Sequence, residues 1–445
     1  MPESDKRAAL HARVVVVGAG PAGLAAARVA AAAGLDTLLL DAAPQPGGQI
    51  WRARQGIAAA PAAQALAGVT LAGARVLAGT RVVMALPGRE LLLDGPQGAQ
   101  RLRWERLILA TGARERLLPL PGWTLPGVFG AGGLQALVKG GWPIRGRRVL
   151  VAGTGPLLLA AAATLRREGA QLQGIVEEAG PAALARFAGT LLRHPRKALQ
   201  AVRLGASLAG VPLMRGWRVV QVEGDGRVER VVLAGEGGRT RTIACDALAA
   251  GWGLVPQTEL GQALGCSLVE RFGDPALAVD AGQRSSVAGV LAVGECTGVA
   301  GARAAWLQGE IAGRTVAVDL GASPDGDAAL AARLQREHDF AAAVAATFPM
   351  PRGWSARLRD DTLVCRCEDV PWSALRDQPD LRSAKLATRC GMGHCQGRLC
   401  HDTLASVMHW QRLPARPPLS PAPLGTLLAA FESPHYTPSN EELPT

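Results

Sequence analysis

The stretch RVVVVGAGPAGLAAARVAAAAGLDTLLLD, Arg13 to Asp41, constrains the fold of this chain more than any other. Four consecutive valines read as a strand buried on both faces. They run into Gly18-x-Gly20-x-x-Gly23, an alanine-rich helix, Gly34, a second apolar strand from Thr37 to Leu40, and a closing acid, Asp41. Each part has a physical reason. Gly18 permits the tight turn, Gly20 lets the backbone approach a pyrophosphate, and Gly23 lets helix and strand pack closely. The helix N-terminus offers free N–H groups to the anion, and Asp41 sits where a carboxylate accepts ribose hydroxyls. A lone glycine triplet is weak evidence. Strand, helix, second strand and acid in register predict a complete βαβ dinucleotide site.

Three further segments point to FAD as its occupant. PQPGGQIW follows the acid at once and brings Gly47, Gly48 and Gln49, which resemble the flavoprotein pattern after the second strand. ILATGARER supplies a later strand and turn with Thr111 and Gly112. GVLAVGECTGVAGARAAWLQGEIAG supplies a strand, then Gly294 and an acid, then a helix entered near Gly298. This resembles the closing FAD motif, in which the acid is usually Asp. Here it is Glu295, a longer carboxylate that still reaches the ribityl chain. The helix would point its positive end at the flavin pyrimidine ring.

A second βαβ pattern lies in GRRVLVAGTGPLLLAAAATLRREGAQLQGIVEE. Gly153 and Gly155 hold the first two glycine positions, and Leu158 holds the third, where its side chain should push the helix away from its strand. Glu177 and Glu178 end the second strand and suit a ribose hydroxyl. Two readings stand: a working NAD site, or a nucleotide-type domain kept as architecture, towards which the missing glycine leans. The motif order gives an α/β fold of two dinucleotide-binding domains. The first FAD segment covers residues 1–130, the inserted nucleotide domain 131–245 and the second FAD segment 246–320. WRVVQVEGDGRVERVVLAG reads as a hairpin turning at Gly224-Asp225-Gly226. Leu191 to Gly210 reads as a basic helical stretch with a solvated His194.

The rest of the chain is a helical linker over 321–355, a cysteine module over 356–412 and a proline-rich tail over 413–445. Five of the eight cysteines lie in that module. No signal peptide is recognisable in the polar opening segment and no apolar run reaches membrane length, so the expected location is the cytoplasm, where clustered thiols suggest metal or redox chemistry. The net charge of +11 raises a nucleic-acid reading. With arginine rather than lysine dominant and aromatics at 4%, no nucleic-acid site is expected, although a basic docking face is. VCRCED and TRCGMGHCQGRLC place Cys365, Cys367, Cys395 and Cys400 in a C-x-C then C-x₄-C spacing. Four thiolates suit a [2Fe–2S] cluster or zinc, and C-x-C is less usual for zinc. Gly391, Gly393 and Gly397 would let the backbone wrap a cluster. Cys390 reads as a packed non-ligand, and His394 as dispensable. Cys245, Cys266 and Cys296 read as buried small hydrophobes. No cysteine pair stands where disulfide-reducing flavoproteins carry theirs.

CRCE and GMGHCQGRLC resemble the bacterioferritin-associated-ferredoxin type of [2Fe–2S] domain. The whole order of motifs, with GPLLL after Gly155 and GWGLVP from Gly251, resembles the α (or B) subunits of heteromeric flavin dehydrogenases of the opine oxidase, hydrogen cyanide synthase and D-hydroxyproline or proline dehydrogenase type. The resemblance implies an electron-transferring FAD/[2Fe–2S] subunit of an amine or imino-acid dehydrogenase, acting on opine, hydroxyproline, proline or glycine. It implies that the electrons come from an amino-acid-oxidase-like flavin β subunit. It also implies a downstream acceptor and a small ferredoxin-like subunit. No acid–base catalytic set stands out in this chain. Two alternatives remain: an NADH-dependent flavin/iron–sulfur reductase, and a flavin scaffold whose cysteine module holds zinc.

Overall fold

The computed structural model describes residues 10–54, 57–323 and 329–431. The polar opening segment up to residue 9 and the tail beyond 431 lie outside the described residues. Strand Leu10–Val17 is the centre of a seven-stranded sheet. It pairs in parallel with Thr37–Leu40 on one side and with Gly98–Leu109 on the other. Val14, Val15 and Val16 are fully buried, as a β-branched run in a central parallel strand must be. Val290–Ala292 returns late in the chain to pair with the end of Gly98–Leu109, so the first and last nucleotide motifs meet at one sheet edge.

Alanine and glycine decide the packing above this sheet. Helix Pro21–Ala32 lies against helix Ala302–Asp319. A Cβ added at Gly309 would sit 2.1 Å from the carbonyl oxygen of Ala22, and one at Gly313 would sit 2.7 Å from Val29 Cβ. The two helices therefore approach nearly to backbone contact, and the alanine richness of the first helix serves that approach.

The second sheet runs Leu213–Arg215, Gln171–Glu177, Arg148–Gly153, Ala247–Gly251, Val128–Gly130. This corrects the inserted domain's expected limits of 131 and 245. Val128–Gly130 and Ala247–Gly251 are both parallel strands of the second sheet. The small, fully buried residues of Ala247–Gly251 fit the centre of that sheet, because a Cβ at Gly153 would meet the Gly251 carbonyl at 1.8 Å. The passage between domains is the antiparallel pair Ala113–Glu115 with Leu254–Pro256. The expected hairpin forms from Arg218–Glu223 and Arg230–Ala234 and gains a third strand, Thr240–Ala244. The basic stretch from Leu191 to Gly210 forms the helix Pro195–Ser207, and another helix, Pro181–Leu191, precedes it. His194 lies between the two helices with its ring 5.2 Å from Phe340, so it packs on an aromatic ring rather than standing free in water.

Helix Leu330–Thr347 leads to a short turn, Trp354–Arg357, and then to the cysteine module. That module has its own core, with Val364, Val370, Trp372, Leu375, Leu381 and Leu404 around the thiols. The described part of the tail runs back along the first sheet: the Leu419 amide donates to the Val83 carbonyl at 2.7 Å, and Ala430 packs on Val83 and Leu92. Among the described residues no helix is long and apolar enough to cross a membrane.

Candidate functional site

The first glycine loop is built for a close backbone approach. A Cβ at Gly18, whose φ is +108°, would sit 2.3 Å from the Ala110 carbonyl, and one at Gly23 would sit 1.8 Å from the Gly18 carbonyl. Helix Pro21–Ala32 starts at Gly20 with no side-chain cap and no acid in its first turn. Its first amides are thus left for an anion. Asp41 accepts from the Ala19 amide at 2.6 Å and the Ala43 amide at 2.7 Å. Burial pushes its carboxyl above the usual range, against those two donors. Each oxygen keeps a lone pair for a ribose hydroxyl. The Gly47 amide donates to the Ala19 carbonyl at 2.8 Å, and Gly48 rests against Gly20, which holds the PGG segment on the loop. Gln49 is exposed and accepts from Arg52 at 2.8 Å, so it stands outside this constellation.

The later motifs close on the same loop. Gly294 approaches Ala22 so tightly that a Cβ there would be 2.9 Å from Ala22 Cβ. Its amide donates to Gln308 Oε1 at 2.8 Å, and Gln308 Nε2 donates to Thr297 Oγ1 at 2.9 Å. Glu295 is half-buried and accepts from the Gly301 amide at 3.0 Å; desolvation pushes its carboxyl up. The helix expected near Gly298 begins at Ala302. Thr111 donates to the Gln257 carbonyl at 2.7 Å, and the Gln257 amide donates to the Gly112 carbonyl at 2.9 Å. Gln257 and Gln308 escaped the sequence reading because a buried glutamine has no local signature. These residues fit FAD: a glycine cradle that any Cβ would fill, uncapped amides for the pyrophosphate, and half-buried carboxylates for hydroxyls.

The second loop copies the first in part. Glu177 accepts from Thr154 Oγ1 at 2.6 Å, the Gly155 amide at 2.9 Å and the Ala179 amide at 2.8 Å, and burial pushes it up as it does Asp41. Leu158 is accommodated rather than expelled: it is buried, and its side chain lies over Gly251 in the domain core. What differs is the cover. Phe348 sits against Gly155, its Cβ 3.8 Å from where a Cβ on Gly155 would stand. Arg357 makes a fork onto Glu178 at 3.0 and 3.2 Å, and Trp252 Nε1 donates to the same carboxylate at 2.8 Å. Phe348 and Arg357 both come from the linker side of the cysteine module.

In the cysteine module the expected ligands fall into two groups. The sulfurs of Cys365 and Cys400 lie with that of Cys390, all three buried and within 4.8 Å of one another. Cys367 interacts with Cys395, and both are only partly buried. Cys390 is therefore a member of a thiol cluster, not a packed bystander. Hydrogen bonds from Cys390 and Cys400 hold Cys365 well below the usual thiol range; the same contact pushes Cys390 up to about 12 and Cys400 further. Three buried sulfurs within 4.8 Å of one another are a donor set that a metal fits, with release of protons.

The glycines of the module have a different role from the one expected. The spaces beside Gly391 and Gly397 hold the ring of His401, whose nearest nitrogens would be 1.9 and 2.3 Å from an added Cβ. The space beside Gly393 holds Cys367. His401 follows Cys400 in a helix, and burial pushes its pKa down. His394 is exposed.

The module docks on the strand that follows Thr111 and Gly112. Arg114 donates to Glu259 at 2.7 Å, to Asp402, and to the Arg398 carbonyl at 3.2 Å. Burial works against its charge, yet Asp402 and Glu259 hold its pKa above the usual value. Thr403 donates to the Leu117 carbonyl at 2.9 Å, and Trp123 Nε1 to the Leu363 carbonyl at 2.6 Å. Glu115, half-buried and pushed up by desolvation, accepts from the Gly132 and Gly133 amides. Charged residues directly after a buried strand, in a chain with only 19% charge, were the available signal for this seam. Cys245 and Cys296 are buried among apolar side chains and pushed up to about 11 by that burial, as suits inert packing thiols; Cys266 is buried likewise.

Two sheets of nucleotide-binding type, one cradle fitted to FAD and one passage between them define a two-dinucleotide-domain flavoprotein. Residues 12–320 match the family model of the pyridine nucleotide-disulphide oxidoreductases, and the chain belongs to that family and is a FAD-dependent oxidoreductase. It is similar to hydrogen cyanide synthase subunit HcnB of Pseudomonas protegens, with 33% identity over 87% of this chain and 89% of the relative. It is similar to an opine oxidase subunit of Rhizobium meliloti, also at 33%, over 94% of this chain and 98% of the relative. Among solved structures, L-proline dehydrogenase from P. horikoshii shares the fold, with a TM-score of 0.68, 20% identity, and coverage of 94% of this chain and 79% of that one.

Proposed function

We propose that this chain is the electron-relay subunit of a heteromeric amine or imino-acid dehydrogenase, receiving electrons from an amino-acid-oxidase-like partner subunit. The observation that carries this reading is the linker cover: Phe348 against Gly155, and Arg357 with Trp252 on Glu178. A nicotinamide dinucleotide would need its pyrophosphate beside Gly155. The chain's own side chain stands there, which weighs against direct reduction by NADH. Support also comes from the relatives named as subunits of hydrogen cyanide synthase and opine oxidase.

When bound, FAD exchanges electrons in pairs or singly and a [2Fe–2S] cluster carries one at a time. The chain's residues supply the rest. Gly18, Gly20 and Gly23 with Asp41 would hold the dinucleotide, and Glu295 with Gly294 would meet it from the closing loop. Cys365, Cys367, Cys395 and Cys400 would hold the cluster. Arg114 fastens that module to the strand leaving Thr111 and Gly112, which keeps the two sites on one rigid seam. An open cleft of about 720 Å³ lined by Arg166, Arg167, Arg196 and Arg203 offers a basic face to an acidic partner, such as a small ferredoxin-like subunit or a downstream acceptor.

Anaerobic spectroscopy on the purified chain tests the reading. NADH alone should leave the flavin absorbance unchanged, and proline, hydroxyproline, glycine or an opine should bleach it once the partner subunit is added. Rapid bleaching by NADH alone would establish the reductase instead. Stoichiometric zinc without iron and acid-labile sulfide would overturn the cluster.

A further inference from the structure

The module holds five thiols where a [2Fe–2S] cluster needs four. The structure does not scatter the fifth. The Cys390 sulfur lies within 4.8 Å of those of both Cys365 and Cys400, and Cys390 is fully buried. Cys367 and Cys395 form the other group, paired with each other across the Gly393 contact. A cluster seated among these thiols would take two ligands at one iron from the buried three and two at the other iron from the outer pair. Three thiols compete for two positions on the inner side, and none is spare on the outer side.

We propose that Cys390 is a reserve ligand of the cluster, able to replace Cys400 or Cys365 at the inner iron but unable to replace Cys367 or Cys395 at the outer one. This rests on the cluster reading above. In the exchange one iron–sulfur bond to Cys400 is broken and one to Cys390 is formed. The Cys390 thiol proton leaves to solvent and the Cys400 thiolate takes one up, so charge and iron oxidation state are unchanged. The main chain favours the exchange: Arg389 lies in the left-handed region at φ +63° and Gly391 at φ +81°, so Cys390 is carried on a turn fixed from both sides. The Thr388 hydroxyl accepts from the Cys390 amide at 3.2 Å.

The test uses the full chain with single alanine substitutions and one double variant, read by iron, acid-labile sulfide and the visible spectrum, with bound FAD per chain as the check on folding. Cys400→Ala and Cys365→Ala should keep about two irons and two sulfides per chain, with a shifted spectrum. Cys367→Ala and Cys395→Ala should lose the cluster while keeping FAD. Cys390→Ala should keep it, and Cys390→Ala with Cys400→Ala should lose it. Loss in Cys400→Ala as complete as in Cys395→Ala, with FAD retained, overturns the proposal. So does survival of the cluster in the double variant. If a variant fails to bind FAD, electron paramagnetic resonance of the reduced wild type and Cys390→Ala decides. Loss of a minor signal in Cys390→Ala supports the exchange, and identical spectra oppose it. A wild type without iron overturns the cluster reading itself, which is a separate result.

Discussion

Trp354→Ala tests whether the linker truly seals the second nucleotide loop. Trp354 is 1% exposed; its indole N–H donates to the Pro119 carbonyl at 2.7 Å, its ring meets Trp252 at 5.1 Å, and the Arg357 guanidinium lies 4.2 Å over it. Removing a buried tryptophan costs about 3–5 kcal/mol, which includes the cavity and the abandoned carbonyl. The linker joins two bodies that have their own cores, so this cost should fall mainly on local opening rather than on global unfolding. Hydrogen exchange measured by mass spectrometry reads that directly. Amides of residues 348–358 should lose roughly 10²- to 4 × 10³-fold of their protection, while strands Leu10–Val17 and Arg148–Gly153 keep theirs. Unchanged exchange across the linker, or an equal loss of protection everywhere, would refute the reasoning.

Three more outcomes follow from the packing and the charges. Gly309→Ala puts a methyl 2.1 Å from the Ala22 carbonyl, so the two helices must part; a loss of about 1–3 kcal/mol and a lower FAD content per chain are expected, by denaturant titration and absorbance. Arg114→Ala removes the one cation that Glu259 and Asp402 share and leaves each with a longer arginine contact, Arg398 at 3.9 Å and Arg412 at 3.4 Å; the cost should be on the order of 3 kcal/mol, and exchange should rise selectively at residues 390–413. Arg114→Lys should not rescue it, because one ammonium cannot reproduce a fork onto three acceptors. Burial raises Glu295, so the folded apo-chain keeps that proton to higher pH than the unfolded chain. Stability should therefore fall as pH rises from the ordinary value of 4.5, and Glu295→Gln should flatten that slope in thermal melts.

The parts of the molecule visible in sequence are those encoded by local pattern. The valine run, the glycine triplets and the acids at strand ends each report on the next few residues, and those elements stand where the pattern puts them. The misplaced edge of the second domain shows the limit. Ala247–Gly251 has no feature that assigns it to one sheet rather than the other, and only its pairing with Arg148–Gly153 does so. Phe348 and Arg357 are invisible for the same reason, since their partners Gly155 and Glu178 lie far earlier in the chain. Glycine in the module misleads because its meaning depends on what fills the vacated space. At Gly391 and Gly397 that is the ring of His401. Counting ligands sets Cys390 aside, whereas its place depends on the left-handed turn that carries it.

The linker connects these points into one argument. Arg357, which covers Glu178, stands shortly before Cys365, and Trp354 anchors that segment to Pro119, on the same strip that receives Leu363 through Trp123. The segment that stoppers the second nucleotide loop is therefore also the segment that positions the thiols. A nicotinamide held there would have to displace Phe348 and Arg357 and so disturb the docking of the cysteine module. Under the proposed function, closing an entry for electron pairs and fixing an exit for single electrons are one packing event. Variants that loosen Trp354 should then weaken cluster retention as well as linker protection, and a variant that frees the linker while leaving iron content intact would separate the two.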